Sequence, residues 1–461
     1  MKEIIWTEVE QPPRDCSGVP VELTEATIKE RREKVLARMK ERDLDQLIIY
    51  GDVEHGSNFA YLVGYFTRFE EALLVISRDG TMKLLLGNEN LNKAPKARVS
   101  ASATHVPLFS LPNQPNQVDK TLTGLLEEAG IRRNMKVGLT GWKKFTSKVE
   151  QNEELFDVPA FIVDAIKKIL GEEGKIFNAT DVFIGEHGAR TVNNANEIAH
   201  YEYGASLASD CILDAMNLLA PGVSELELGD ALVRYGQHTS VVTIAASGER
   251  FLKANMFPRE NKIRVGDPIS LTVGYAGGSS SRAGYAVAVT EELPVGAEVY
   301  LEQLAVPYFR AYTTWLEQIH IGMEGGTLFQ VIESVLPRKD FHWTLCPGHL
   351  VAEEEWMSSP IYENSGEILR SGMIFQIDII PSVTGMGGVC AESTVVLADD
   401  GLKADIQSAY PEMWERMQNR IQYLKEKLNI QISDDVLPMC GTVAYLRPYL
   451  LDKSRALAVK R

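Results

Sequence analysis

Three short segments decide the fold: Leu345-Cys-Pro-Gly-His349, Gly372-Met-Ile-Phe-Gln-Ile-Asp378 and Ala391-Glu392-Ser-Thr-Val-Val-Leu397. One histidine and two carboxylates stand on these apolar runs, which read as half of a dinuclear metal site. The other half would be a pair of aspartates upstream, yet the chain has no Asp or Glu from Pro268 through Thr290. Asp378 lies inside Phe-Gln-Ile-Asp-Ile-Ile, where a bare charge is costly to bury, so a partner or a ligand cation is expected beside it.

Upstream of these segments, Ile28, Val35, Leu36 and Met39 share one stripe of an amphipathic helix over 28–42. Strand-like runs are expected at Leu47–Tyr50, Phe59–Val63, Ala72–Ile76, Met82–Leu86, Val137–Leu139 and Val182–Ile184, so residues 1–185 alternate in the α/β manner. A long helix over Ala195–Leu219 ends at Pro221-Gly222. Ser224 and Glu227 then form a capping box that opens a helix over Glu225–Tyr235. Strands at Val241–Ala245, Ile269–Val273, Ile374–Ile380 and Ser393–Leu397, with a helix across Glu302–Ile319, make an α+β domain over 186–428. The tail, 429–461, is too apolar for a free end and is expected to pack on the body or on a partner subunit.

The 461 residues exceed what one core usually organises. The net charge of −16 argues against a nucleic-acid or anionic-membrane surface. A cationic or small zwitterionic ligand is easier to accept. Five cysteines, odd in number and without Cys-x-x-Cys spacing, read as reduced thiols. With no signal-like apolar core near Met1 and no window of about 20 apolar residues, the expectation is a soluble, cytoplasmic protein.

The sequence resembles the pita-bread superfamily of creatinase, aminopeptidase P, prolidase and methionine aminopeptidase. The resemblance rests on Asn58-Phe-Ala-Tyr-Leu-Val-Gly64, Leu219-Ala-Pro-Gly-Val-Ser-Glu-Leu-Glu-Leu228, Val265-Gly-Asp267, Gly348-His349, Gly372-Met-Ile-Phe375 and Glu392, in that order. It implies an α/β N-terminal domain of creatinase type followed by an α+β pita-bread domain, in a homodimer. In the metallopeptidases of that family two divalent ions share two Asp, one His and two Glu, and the water between them becomes the nucleophile. The family's aspartates fall at Thr272 and near Ala283, and its two further histidines at Met256 and Trp356. His349, Asp378 and Glu392 keep the other positions, with Asp378 one methylene shorter than the usual Glu.

Three functions follow as expectations. The first is a metal-independent, creatinase-like hydrolase or lyase on a small cationic or zwitterionic amine compound, with no cofactor; Asp378 and Glu392 hold the cation and His349 moves the proton. The second is an Xaa-Pro aminopeptidase or dipeptidase with a reduced metal site, a single Zn or Mn on His349, Asp378 and Glu392. The third is a non-catalytic small-molecule-binding protein. Arg282 is expected to aim into the emptied metal space and bind a substrate carboxylate. Trp356 either walls an aromatic cage for the cation or fills vacated volume. Thr272 and Met256 line the pocket, and Arg68 either reaches a neighbouring subunit's pocket or stays on the surface. The plain alternatives are a structural His349, a hairpin turn at Gly277-Gly278 and Ser279–Ser281, a solvated face at Glu353–Glu355, and inert thiols at Cys346 and Cys390.

Overall fold

The computed structural model describes residues 2–115 and 119–461. The chain divides into two compact units, Leu23–Thr191 and a second made of Met1–Glu22 with Val192–Arg461. Residues 2–22, expected in the first domain, therefore belong to the second. Strand β1 (Ile4–Glu8) pairs antiparallel with a C-terminal strand, Arg455–Val459, so the two ends of the chain close on each other.

The Leu23–Thr191 unit is α/β. Its six strands, β2 (Gln46–Gly51), β3 (Ala72–Ser77), β4 (Met82–Leu86), β5 (Ser102–His105), β6 (Lys136–Thr140) and β7 (Lys175–Asn178), form a mixed sheet in the order β5-β4-β3-β2-β6-β7. Every residue of β2 is buried, which suits a central strand covered on both faces. Ile48, Leu73 and Leu85 pack with Leu125, Ile162 and Ile166 of the helices Leu122–Glu128 and Ala160–Leu170. The helix Glu25–Glu41 starts at Thr24, whose hydroxyl accepts from the Thr27 amide, and buries Ile28, Arg31, Val35 and Met39.

Two strand expectations fail here. Phe59–Val63 lies in the helix Ser57–Val63, which Gly64 stops in the left-handed region at φ 81°; a helix with every residue buried has no polar face to reveal its period. Val182 closes a single 3₁₀ turn, Thr180–Val182, and the strand in that region is β7.

The second unit is α+β. Strands β8 (Ile244–Ser247), β9 (Pro268–Tyr275) and β10 (Gly278–Tyr285) form one antiparallel sheet, and β11 (His349–Leu350), β12 (Ile374–Gln376), β13 (Thr394–Leu397) and β14 (Val436–Pro438) form another. β15 (Arg455–Val459) completes the pairing with β1. The tail thus packs on the body. The helix Ala195–Leu218 is closed by the Asn194–Glu197 capping box and is nearly all buried. It presses on the β9–β10 turn so closely that a Cβ on Gly204 would lie 1.9 Å from the Ala276 carbonyl oxygen, and one on Gly277 would lie 2.1 Å from that of Tyr201. Only glycine fits at either place.

The Ser224–Glu227 capping box forms, but its helix, Glu225–Leu232, ends three residues early. The helix expected over Glu302–Ile319 begins as a π turn, Leu301–Ala305, and becomes α at Val306–Gln318, because Pro307 cannot donate the bond that an α turn needs there. β12 is shorter than expected, ending at Gln376 before the chain reaches Asp378. The expected order of an α/β unit followed by an α+β unit is the order observed.

Candidate functional site

The site forms where the two sheets of the second unit meet. The register of β12 against β13 pairs Ile374 with Val396 and Gln376 with Thr394, and just past the strand the Ile377 amide donates to the Ser393 carbonyl at 3.0 Å, next to Asp378 and Glu392. His349 lies across from Gln376 on the other side of β12. One helix, Val306–Gln318, anchors both approaches: Trp315 donates to the Pro347 carbonyl at 2.8 Å, and the Ala391 amide donates to the Tyr308 hydroxyl at 2.8 Å. β10 runs beside residues 390–392, the Ser281 amide donating to the Glu392 carbonyl at 3.3 Å and the Ala283 amide to that of Cys390 at 3.3 Å.

His349 is fully buried. Its Nδ1 lies 3.3 Å from the Leu350 carbonyl. Its Nε2 lies 3.5 Å from Glu355 Oε1 and 3.9 Å from Asp378 Oδ2, without a hydrogen bond to either. Trp356 stacks on the imidazole, with ring centroids 4.1 Å apart and planes 20° from parallel. Burial by itself lowers the His349 imidazolium, but the carboxylates of Glu355, Asp378 and Glu392 outweigh it and hold the group above its ordinary range. Asp378 is pushed well up by burial and then by the Glu392 charge. Glu392 is raised by burial and by Glu355, against the hydroxyls of Ser281 and Ser279 that favour its ionised form.

Those hydroxyls come from the β9–β10 hairpin. Its turn is Ala276-Gly277, so Tyr275 pairs with Gly278 and Thr272 with Ser281. Side chains alternate along a strand. Ser279 and Ser281 therefore face the site together, donating to Glu392 Oε1 at 2.9 Å and Oε2 at 2.6 Å. Thr272 donates to the Ser281 hydroxyl at 3.0 Å. The three serines are thus strand residues facing the pocket or away from it, not the turn.

Alternation also overturns the expectation for Arg282, which points to the opposite face. Its guanidinium donates to the carbonyls of Tyr445 at 2.9 Å, Ser281 at 2.7 Å and Glu392 at 2.9 Å, and also to that of Thr442. It braces the backbone behind Glu392 and leaves no donor for a substrate carboxylate. Met256 stands on a loop, 44% exposed. Arg68 is exposed on the other unit, its guanidinium over the Phe69 ring at 4.9 Å. Burial raises the thiols of Cys346 and Cys390, which keeps both protonated and weak as nucleophiles.

Glu355 is the group that composition hid. Within the run Glu353–Glu355, Glu353 is taken by the Tyr201 hydroxyl at 2.6 Å, while Glu355 turns toward His349. The loop that presents it is held at its base, where the Leu350 amide donates to the Ser358 carbonyl at 2.6 Å and the Met357 amide to that of Leu350 at 2.9 Å. Ligand atoms of His349, Glu355 and Glu392 lie within 4.8 Å of one another, and among the described residues this is the one His/Cys/Asp/Glu group so placed.

A model described as metallopeptidase family M24 matches residues 199–399, and one described as the creatinase/prolidase N-terminal domain matches residues 31–167. The chain belongs to the creatinase, aminopeptidase P and prolidase superfamily. A curated relative, the uncharacterized peptidase YqhT of Bacillus subtilis (strain 168), is 24% identical over 220 residues, 46% of this chain and 61% of that protein. The chain thus matches less than two thirds of that relative's length. Among solved structures, the Xaa-Pro dipeptidase from Bacillus anthracis superposes with a TM-score of 0.60 at 17% identity, covering 81% of this chain and 96% of that one. Dipeptidase PepE from Mycobacterium ulcerans gives 0.63 at 18% identity, covering 82% and 94%. At these identities the structures speak for the fold.

An M24 metallopeptidase model implies bound metal, and the donor set tests that. Two adjacent divalent ions need anionic oxygens on both sides. The hairpin side offers Thr272, Ser279 and Ser281, neutral hydroxyls whose protons already point at one another or at Glu392. A two-ion centre does not fit. His349, Glu355 and Glu392 are the set that would hold a single ion.

Proposed function

We propose that this M24 chain is a metal-independent hydrolase or lyase acting on a small cationic or zwitterionic amine compound. One observation carries the reading: three carboxylates converge on a buried histidine, and the Glu392 carboxylate is satisfied by protein hydroxyls, leaving no call for a metal pair. Burial beside Glu392 makes the Asp378 charge costly, an entering amine cation offsets that cost, and Asp378 Oδ1, buried and unpartnered, is free to accept a hydrogen bond from it. Trp356 gives the cation an aromatic neighbour.

In this reading Asp378 and Glu355 hold the amine. His349, kept charged more readily by its neighbours, donates a proton to the leaving group or takes one from water. Ser279 and Ser281 hold Glu392 still. Thermal-shift screening of small amines, guanidines and quaternary ammonium compounds at pH 7 is expected to find ligands that stabilise the wild type and fail to stabilise Asp378→Asn. Mass spectrometry of those ligands then shows turnover. Stabilisation without any chemical change in the ligand supports a binding protein instead.

A second reading, a single-ion Xaa-Pro peptidase, is favoured by the approach of the His349, Glu355 and Glu392 ligand atoms within 4.8 Å. Three protein ligands suffice for a catalytic zinc, which supplies an activated water when bound. Turnover of Xaa-Pro dipeptides that EDTA abolishes would support it.

A further inference from the structure

The hydrogen-bond directions around Glu392 are fixed by elimination. The Gln376 amide nitrogen, which can only donate, gives a hydrogen bond to the Ser279 hydroxyl at 3.0 Å. The Ser279 proton is therefore left for Glu392 Oε1 at 2.9 Å. Ser281 accepts from Thr272 at 3.0 Å and, with Glu392 ionised and so unable to donate, gives its own proton to Glu392 Oε2 at 2.6 Å. Gln376 is itself held by the Thr394 hydroxyl at 2.8 Å and the Ser279 amide at 3.2 Å on its carbonyl oxygen. All of these groups are buried. Glu392 thus carries one O–H donor fixed on each oxygen, which takes one of the two lone pairs that each oxygen would otherwise offer an ion.

We infer that Ser279 and Ser281 are the specificity-determining residues that keep metal ions off Glu392 and reserve the pocket for an organic cation. The inference rests on the metal-independent reading. The two serines act through Glu392 and need not touch substrate. A charge-assisted hydrogen bond is among the stronger ones, and to bind an ion Glu392 must reorient or share the oxygens that carry two of them.

The test is calorimetric titration of the full-length protein with Mn(II), alongside Mn content by elemental analysis after dialysis. Ser279→Ala/Ser281→Ala is expected to bind Mn(II) about tenfold or more tightly than wild type, the factor that one such bond corresponds to. Ser281→Thr, which keeps the hydroxyl, should stay near the wild-type affinity. Thr272→Val, which touches Ser281 but not Glu392, controls for loosening of the hairpin and should also stay near wild type. Where the double variant fails to fold, the single Ser279→Ala and Ser281→Ala variants carry the test, each with a smaller gain. The inference is overturned if neither serine variant gains affinity, or if Thr272→Val gains as much as they do. Tight Mn(II) binding by the wild type would instead defeat the functional reading on which it rests.

Discussion

Replacing Arg282 by methionine should cost the protein about 4 kcal/mol or more of stability, enough to leave a large share of the chain unfolded. The guanidinium serves the carbonyls of Tyr445, Ser281, Glu392 and Thr442 in a fully buried position. Methionine fills similar volume but takes the guanidinium donors from all four carbonyls; those of Glu392 and Thr442 keep the Ser281 and Tyr445 amides, and each buried group left unsatisfied costs roughly 1–3 kcal/mol against a total of about 5–15. Arg282→Lys keeps the charge with fewer donors and should fall between. Urea denaturation of the variants, with soluble yield as a second readout, checks this. Wild-type stability in Arg282→Met would mean that the brace behind Glu392 is not needed. The same substitution would test the earlier expectation of a substrate-binding Arg282 poorly, because a collapsed fold and a lost contact both abolish activity.

The second large effect is on stability against pH, through Asp378. Burial and the Glu392 charge raise the folded-state pKa of Asp378 well above that of the unfolded chain, near 4. Between these values the folded protein binds a proton that the unfolded chain has released, so stability falls as pH rises through that window. Glu392 adds to the slope in the same direction. His349 does too, higher up: its raised pKa stabilises the fold below about 6.5, and that contribution is lost as pH passes the folded value. The melting temperature should therefore peak in mild acid and decline toward pH 8. Asp378→Asn removes the largest part of the penalty and should be more stable than wild type at pH 7–8, the gain growing with pH by at most about 1.4 kcal/mol per pH unit between the unfolded-chain and folded values. Calorimetric melting points for both proteins across pH 4.5 to 8 provide the measurement. A parallel pair of curves would show that Asp378 is not strained in the folded state.

Much of this was legible in the chain. The α/β unit before the α+β unit followed from strand and helix periodicity, and the three groups that converge, His349, Asp378 and Glu392, stand at the ends of apolar runs where a strand delivers its last side chain into a cleft. Other features were written in the sequence but needed register. Taking Ala276-Gly277 as the two-residue turn pairs Thr272 with Ser281 directly, sets Ser279 and Ser281 on one face, and sends Arg282 to the other. Taking the serines themselves as the turn loses all three results. Phe59–Val63 misled because a wholly buried helix and a buried strand share the same composition. Glu355 could not be singled out within Glu353–Glu355, because which of three adjacent acids turns inward depends on Tyr201 capturing Glu353, a contact 152 residues away in sequence.

A hairpin without Asp or Glu and a hydroxyl-bound Glu392 carry the central proposal, that the site works without a metal centre. Elemental analysis of the full-length protein, purified without chelator and without an affinity step that supplies metal, tests it most directly. The account predicts Mn, Zn, Co and Fe each far below one ion per chain, and a melting temperature unmoved by EDTA. One or more ions per chain, removed by EDTA with a matching loss of stability, would contradict it.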